Sequence, residues 1–483
     1  MAGNTLDRWF GRAFVQAAGN PLIRGGLTVG AGIVLGNILG FARSAVTAYL
    51  LGTHAAADAL AVAISPLDTL NGIFINTMLF AFVPMLMLRE GEERIALFHQ
   101  ASRLFTWIFG FFAIGIFLFA PLVIHILGPG LKPESVPEAV NILRITSVST
   151  LAAGAFAIYS ALLYTERRFG PPAFYQASLN IFTIVAAVGL WRVLGIYGFA
   201  IGYSCGACAQ MGSVYFAARR YWKAHPSTHP NSHPNTHPTV GSKTRYSKTP
   251  WHELLAKPGS FLIYAGLIAL NVIVTRAYAT QSGPGMAAAF DYCIRCVNVV
   301  IAYLVMPVSN TLLPEIGRLR RELRTPEAFR LTDRTILIAA LAAVASCIVG
   351  VVFREPVIAL LFQRGSFTAQ STQLVSGAFL GFAPSLIGWS LLELNSRALF
   401  ALDRPWLPVC AAAIPVAFNL AFSEAMRAAG AARFGQPRFI GLGASLGLLL
   451  AFAFLFVASH ARRKYWSAEF ALETREKLVP AVT

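Results

Sequence analysis

Seven ionisable side chains stand inside long apolar runs: Arg43, Asp68, Arg144, Arg276, Asp291, Arg295 and Glu393. Asp58 stands at the start of the run that holds Asp68. Charge in a lipid-compatible stretch is costly, so each is a functional candidate. Arginines spread over both halves of the chain could line a positive cavity, where the guanidinium fork grips phosphate or diphosphate bidentately. Alternatively, an arginine pairs with Asp or Glu or reaches up to the headgroups. Arg144, near the start of its run, suits that second role; Arg276 suits either; Arg43 and Arg295 suit the first. Asp291 and Arg295 are four apart on one helix face and can pair with each other. Glu393 shows no sequence-local partner and reads as a titrating group or a structural hydrogen-bonder. Any proton coupling is expected at Asp68, Asp291 or Glu393. Asn298 and Asn419 are polar groups suited to lining a cavity or bonding between helices.

Other chemistry finds little support. Cys205 with Cys208, and Cys293 with Cys296, are spaced i,i+3 in apolar runs and read as small packing residues rather than redox or metal centres. No phosphate-binding loop, dinucleotide fingerprint or nucleophile elbow occurs, so no catalytic residue, cofactor or bound metal is expected.

The elements that must position these side chains are set by composition. Of 483 residues, 56% are hydrophobic and 13% charged, and mean hydropathy is +0.60. That excludes a soluble globular or disordered chain and implies an all-α polytopic membrane protein. Apolar runs predict about twelve transmembrane helices, at 26–50, 58–88, 104–128, 139–164, 172–191, 194–217, 258–280, 286–315, 335–362, 373–400, 405–424 and 438–460. Ser65-Pro66 and Met306-Pro307 are expected to break two of them. The polar N-terminus lacks a small-residue cleavage site, so no removable signal peptide is expected.

A net charge of +17 would suggest nucleic acid in a soluble protein, but here it reports topology. With the N-terminus inside, 28 Lys and Arg fall on or near inner segments and 6 on or near outer loops. This bias places both termini in the cytoplasm.

Residues 1–25 then form a cytoplasmic segment, 26–217 an N-lobe of six helices, 218–257 a cytoplasmic linker, 258–460 a C-lobe of six helices and 461–483 a cytoplasmic tail. The linker carries four tandem tetrapeptides beginning at His225, His229, His233 and His237. A proline in each repeat and no apolar side chains until Val240 make it an extended spacer, with weak Zn or Ni binding as the alternative.

The halves look duplicated. Pro121 matches Pro356 at an offset of 235, Pro171 matches Pro405 at 234, and Pro84 matches Pro314 at 230. Two six-helix lobes inserted the same way up have a pseudo-twofold along the membrane normal, as in transporters with a central cavity.

Leu39-Gly40-Phe41-Ala42-Arg43, Leu51-Gly52, Ala56-Ala57-Asp58-Ala59 and Ala81-Phe82-Val83-Pro84 resemble the MviN/MurJ family of lipid II flippases, in the multidrug/oligosaccharidyl-lipid/polysaccharide exporter superfamily. So do Arg295, Leu312-Leu313-Pro314, Leu361-Phe362-Gln363-Arg364-Gly365-Ser366-Phe367-Thr368 and Asn419-Leu420-Ala421-Phe422. The resemblance implies a V-shaped two-lobed bundle moving an undecaprenyl-diphosphate-linked sugar outward by alternating access. It implies substrate roles for Arg43, Asp58 and Arg295, beside the cavity candidates Arg276 and Arg144. It also marks departures. Asn37 stands where the family has an arginine, Ser44 replaces an acid, Asn298 replaces a glutamate, and the region from Leu70-Asn71 to Ile75-Asn76-Thr77-Met78 differs. Many members have fourteen spans.

The leading expectation is a flippase for a polyprenyl-diphosphate-linked glycan precursor in the bacterial inner membrane, its partners that lipid, the bilayer and envelope-synthesis enzymes. The alternatives are an exopolysaccharide-unit flippase, a cation-coupled exporter of amphipathic small molecules, and, least supported by the short outer loops, a membrane glycosyltransferase.

Overall fold

The computed structural model describes residues 21–89, 91–224, 251–322, 324–430, 435–439 and 441–478. The His-Pro tetrapeptides lie outside the described residues. Among those described, every regular element is helical. The principal helices are α1 (Pro21–Leu51), α2 (Ala55–Met87), α3 (Gly91–Leu118), α4 (Ala120–Leu127), α5 (Val136–Thr165), α6 (Tyr175–Gly189), α7 (Tyr197–Ala224) and α8 (Trp251–Ser282). They continue with α9 (Met286–Val300), α10 (Met306–Arg321), α11 (Thr325–Val352), α12 (Arg354–Phe362), α13 (Ala369–Phe382), α14 (Ser385–Ala401), α15 (Trp406–Ala428) and α16 (Leu442–Leu478). Helix stands at all twelve expected positions. Nine helices in the described residues are long and apolar enough to cross a membrane, and α13 with α14, bent by 42°, makes a tenth. The helix α6 is apolar but shorter. Large apolar side chains face outward, such as Trp107 at 79% and Phe111 at 78% exposure, as lipid-facing surfaces require.

The expected third and ninth spans are each two helices, broken at Phe119 and Phe353. The chain resumes through Val123 N–H to Phe119 O at 2.9 Å and Val357 N–H to Phe353 O at 3.0 Å. Pro121 and Pro356 sit in the first turn after each break, where a missing N–H costs nothing. The same fault recurring in both halves supports the duplication.

The two prolines expected to break spans behave differently from each other. Pro66 does not interrupt α2, which runs unbroken from Ala55 to Met87. Before Pro307 the chain widens into a π turn at Ile301–Val305, one way a helix absorbs a proline without ending.

The chain forms two compact units. The first takes residues up to Val46, Pro66–Val123 and Val140–Gly259; the second takes Thr47–Ser65, Ile124–Ala139 and Ser260 onward. These follow the expected halves except for the α1–α2 turn and the α4 region, which cluster with the later half.

In the first unit Phe82, Phe98, Phe105, Phe109 and Phe156 form a buried aromatic core. Its rings meet edge to face, as Phe74 does with Phe109 at 4.9 Å between centroids. Gly198, Gly202 and Gly206 form a stripe on α7 against α6, where an added Cβ would come within 2.9 Å of backbone atoms of Ala186, Phe182 or Leu179. Small residues every fourth position let two membrane helices touch along their backbones. In the second unit Phe290 packs on Phe382 at 5.0 Å, and Tyr292 packs on Phe362 and Phe367.

Candidate functional site

The intramembrane charges sort into local clusters. In the first unit, Arg43 on α1 donates from Nη2 to Asp68 Oδ2 on α2 at 3.0 Å. Tyr203 on α7 donates its hydroxyl to Asp68 Oδ1 at 3.1 Å. Arg43 is therefore paired with an acid, the role weighed against anion binding for the intramembrane arginines. Asn37, also on α1, is half-buried. Arg144 on α5 holds its guanidinium 5.8 Å from the centre of the Phe117 ring, a cation–π contact that its sequence did not announce.

In the second unit, Arg276 on α8 is 3% exposed. It donates from Nε and Nη2 to Asp291 Oδ1 on α9, at 2.9 and 2.6 Å. Ser65 donates to Asp291 Oδ2 at 2.5 Å. The ion pair of Asp291 therefore goes to Arg276 and not to Arg295, four residues along the same helix. Arg295 and Asn298 are half-buried on α9. The Arg276 pair and the serine tie α8, α9 and α2 together.

Asp58 takes a structural part. It is 4% exposed, and its carboxylate accepts from the backbone N–H of Gly285 at 2.6 Å and of Ala288 at 2.9 Å. This caps the first turn of α9, whose orphan N–H groups and dipole favour an anion. Around it the α1–α2 turn is woven into the later half. Tyr292 donates its hydroxyl to Gly52 O at 3.0 Å, and Thr53 shares a hydrogen bond with Ser371 at 2.8 Å. Ser366 N–H donates to Tyr49 O at 2.8 Å. Gly285 (φ +81°) approaches so closely that a Cβ would sit 2.2 Å from Thr53 O. Segments quoted above for the family likeness, remote in sequence, thus meet in one place. A cavity of about 140 Å³ beside Asp58 is lined by Lys132, Thr280 and Gln281.

Glu393 on α14 has a sequence-local partner after all: Arg397, one turn on, donates from Nε at 2.6 Å. Tyr264 on α8 adds a hydroxyl at 3.4 Å. Asn419 on α15, 1% exposed, donates to Asn271 Oδ1 at 3.0 Å and Thr275 Oγ1 at 2.9 Å on α8. Of its two expected roles, it bonds between helices. Among the described residues no three His, Cys, Asp or Glu side chains are grouped to hold a metal ion.

Chemically, the arrangement offers guanidinium groups on membrane helices, those of Arg43 and Arg276 each in a small polar cluster. It shows no nucleophile with an aligned base among the described residues. This suits binding and release of an anion.

The family model described as lipid II flippase MurJ matches residues 47–482. A lipid II flippase MurJ of Burkholderia cenocepacia is 25% identical over 442 residues, covering 89% of this chain and 83% of the relative. One from Thermosipho africanus is 30% identical over 178 residues, 37% of each chain. Among solved structures, an inward closed conformation of lipid II flippase MurJ has a TM-score of 0.74 at 20% identity, covering 95% of this chain and 93% of that one. An inward-facing multidrug resistance MATE transporter has a TM-score of 0.70 at 12% identity, covering 89% and 96%. With a family match that runs through both units and almost to the end of the sequence, this multi-pass membrane protein belongs to the MurJ family of lipid II flippases.

Proposed function

We propose that this chain carries a polyprenyl-diphosphate-linked glycan of the lipid II type from the inner to the outer leaflet of a bacterial cytoplasmic membrane, by alternating access. The observation that carries this reading is the family match over residues 47–482. The half-buried arginines support it, because a diphosphate needs cationic partners within the membrane. The test is complementation of cells depleted of their own lipid II flippase, read by survival and by lipid II exposed on the outer face. Failure of a well-expressed chain to rescue, with no lipid II exposed, overturns it.

In this reading Arg43 and Arg295 are each substrate-binding residues for the diphosphate lipid. Charge-assisted hydrogen bonds contribute about 1.5–3 kcal/mol each. Alanine at either position is expected to weaken undecaprenyl diphosphate binding by about tenfold or more. Lysine keeps the charge but loses the planar fork, so it should weaken binding less. Affinity measured on purified protein of normal thermal stability checks this, and unchanged binding in both alanine variants would exclude the assignment.

The orientation follows from the Lys and Arg bias. Both termini and the His-Pro linker are placed in the cytoplasm, so a cysteine at Ser232 should resist an impermeant thiol reagent added to whole cells. Rapid labelling from outside would reverse the topology.

A further inference from the structure

The Arg43–Asp68–Tyr203 cluster holds its arginine less tightly than two other interhelix ion pairs among the described residues. Arg463 grips Asp333 with both terminal nitrogens at 2.5 and 2.6 Å, and Arg276 grips Asp291 at 2.9 and 2.6 Å. Arg43 reaches Asp68 at 3.0 Å, and the carboxylate side of that pair is open, as it is in Asp333: the Asp68 side chain is 37% exposed against 12% for Arg43. Asp68 also rests on a fixed support. Tyr203, 1% exposed on α7, donates to its other oxygen at 3.1 Å. One oxygen can therefore leave Arg43 while the other stays held.

We propose that Asp68 is a built-in competitor for the anion site of Arg43, holding the guanidinium when no substrate is bound and yielding it to the diphosphate. This deepens the function proposed above and rests on it. A lone guanidinium among apolar helices is costly, so the empty protein gains from a counter-ion. A diphosphate carries more charge than one carboxylate and matches the fork bidentately, so it can take Arg43 from Asp68. Only the fraction of protein with Arg43 released binds at full strength, and apparent affinity falls by that fraction. The same competition helps release: as the diphosphate leaves, Asp68 retakes its place. Asp68 is thereby a positioning residue that sets affinity and turnover without touching the substrate.

The sign of one measurement separates this from a purely supporting role. Asp68→Asn removes the charge but keeps an oxygen to accept from Tyr203. Purified full-length protein in nanodiscs, titrated with undecaprenyl diphosphate, should then bind about fivefold tighter, the equivalent of a surface-type ion pair of about 1 kcal/mol. In proteoliposomes, lipid II flipping by the variant should slow through late release. Asp68→Glu should return binding towards wild type. Asp68→Ser, also neutral, repeats the test if the asparagine variant fails to accumulate. Unchanged or weaker binding in the neutral variants at normal thermal stability overturns the proposal, because a residue that merely braces Arg43 can only lose affinity when altered. Failure of the wild-type chain to bind undecaprenyl diphosphate at all would instead overturn the proposed function, a result distinct from the sign of the Asp68 effect.

Discussion

Asp291→Ala is expected to lower stability by about 3–5 kcal/mol, because it strands a buried guanidinium without its counter-charge. Arg276 is 3% exposed and spends Nε and Nη2 on Asp291. The reverse change should cost less. In Arg276→Ala the orphaned carboxylate belongs to a side chain 22% exposed that still accepts from Ser65. A paired replacement, Arg276→Met with Asp291→Leu, should recover much of the loss, since apolar packing often matches a buried ion pair. Thermal midpoints of the purified single and double variants give the coupling directly. Additive losses would show that the two side chains act independently.

The second large effect is expected at Asp58. Alanine there removes two charge-assisted hydrogen bonds from the buried start of α9, at Gly285 and Ala288, and should cost about 2–4 kcal/mol. Asparagine keeps the shape and one acceptor oxygen, so about half the loss should remain. Asp58 was expected from family likeness to act on substrate, and the two roles part cleanly by experiment. A cap lowers the thermal midpoint along with flipping. A ligand would lose flipping while the midpoint of Asp58→Ala stayed at the wild-type value.

Much of the architecture was legible because it rests on one-dimensional signals. Apolar runs located the twelve spans, and Pro121 and Pro356 marked the repeat, though not the breaks at Phe119 and Phe353 beside them. The glycine stripe at 198, 202 and 206 is equally plain in the sequence, and so is the i,i+4 spacing of Glu393 and Arg397. Pairing between helices is another matter. Arg43 finds Asp68 25 residues away, and Arg276 finds Asp291 15 residues away on the next helix. Which face meets which is decided by packing that no local pattern encodes. Asp58 is the extreme case, because its partners are backbone N–H groups, which every residue but proline carries and none advertises. Pro66 misled for a related reason: a proline predicts a lost hydrogen bond, not whether the surrounding helix bends enough to end.

The weaving of the α1–α2 turn into the later half has a consequence for synthesis. Asp58 leaves the ribosome 227 residues ahead of Gly285, and Thr53 318 residues ahead of Ser371. The turn therefore enters the bilayer long before any of these partners exists. Closing so long a loop adds little to the free-energy cost, about 0.6 kcal/mol for each doubling of length, but it imposes a wait. Until then the backbone carbonyls of Tyr49, Leu50 and Gly52, later taken by Ser366 and Tyr292, depend on water or headgroups. The second unit is complete only when this early turn docks, so a nascent chain stalled before Ser371 holds both its oldest and its newest segments unfinished.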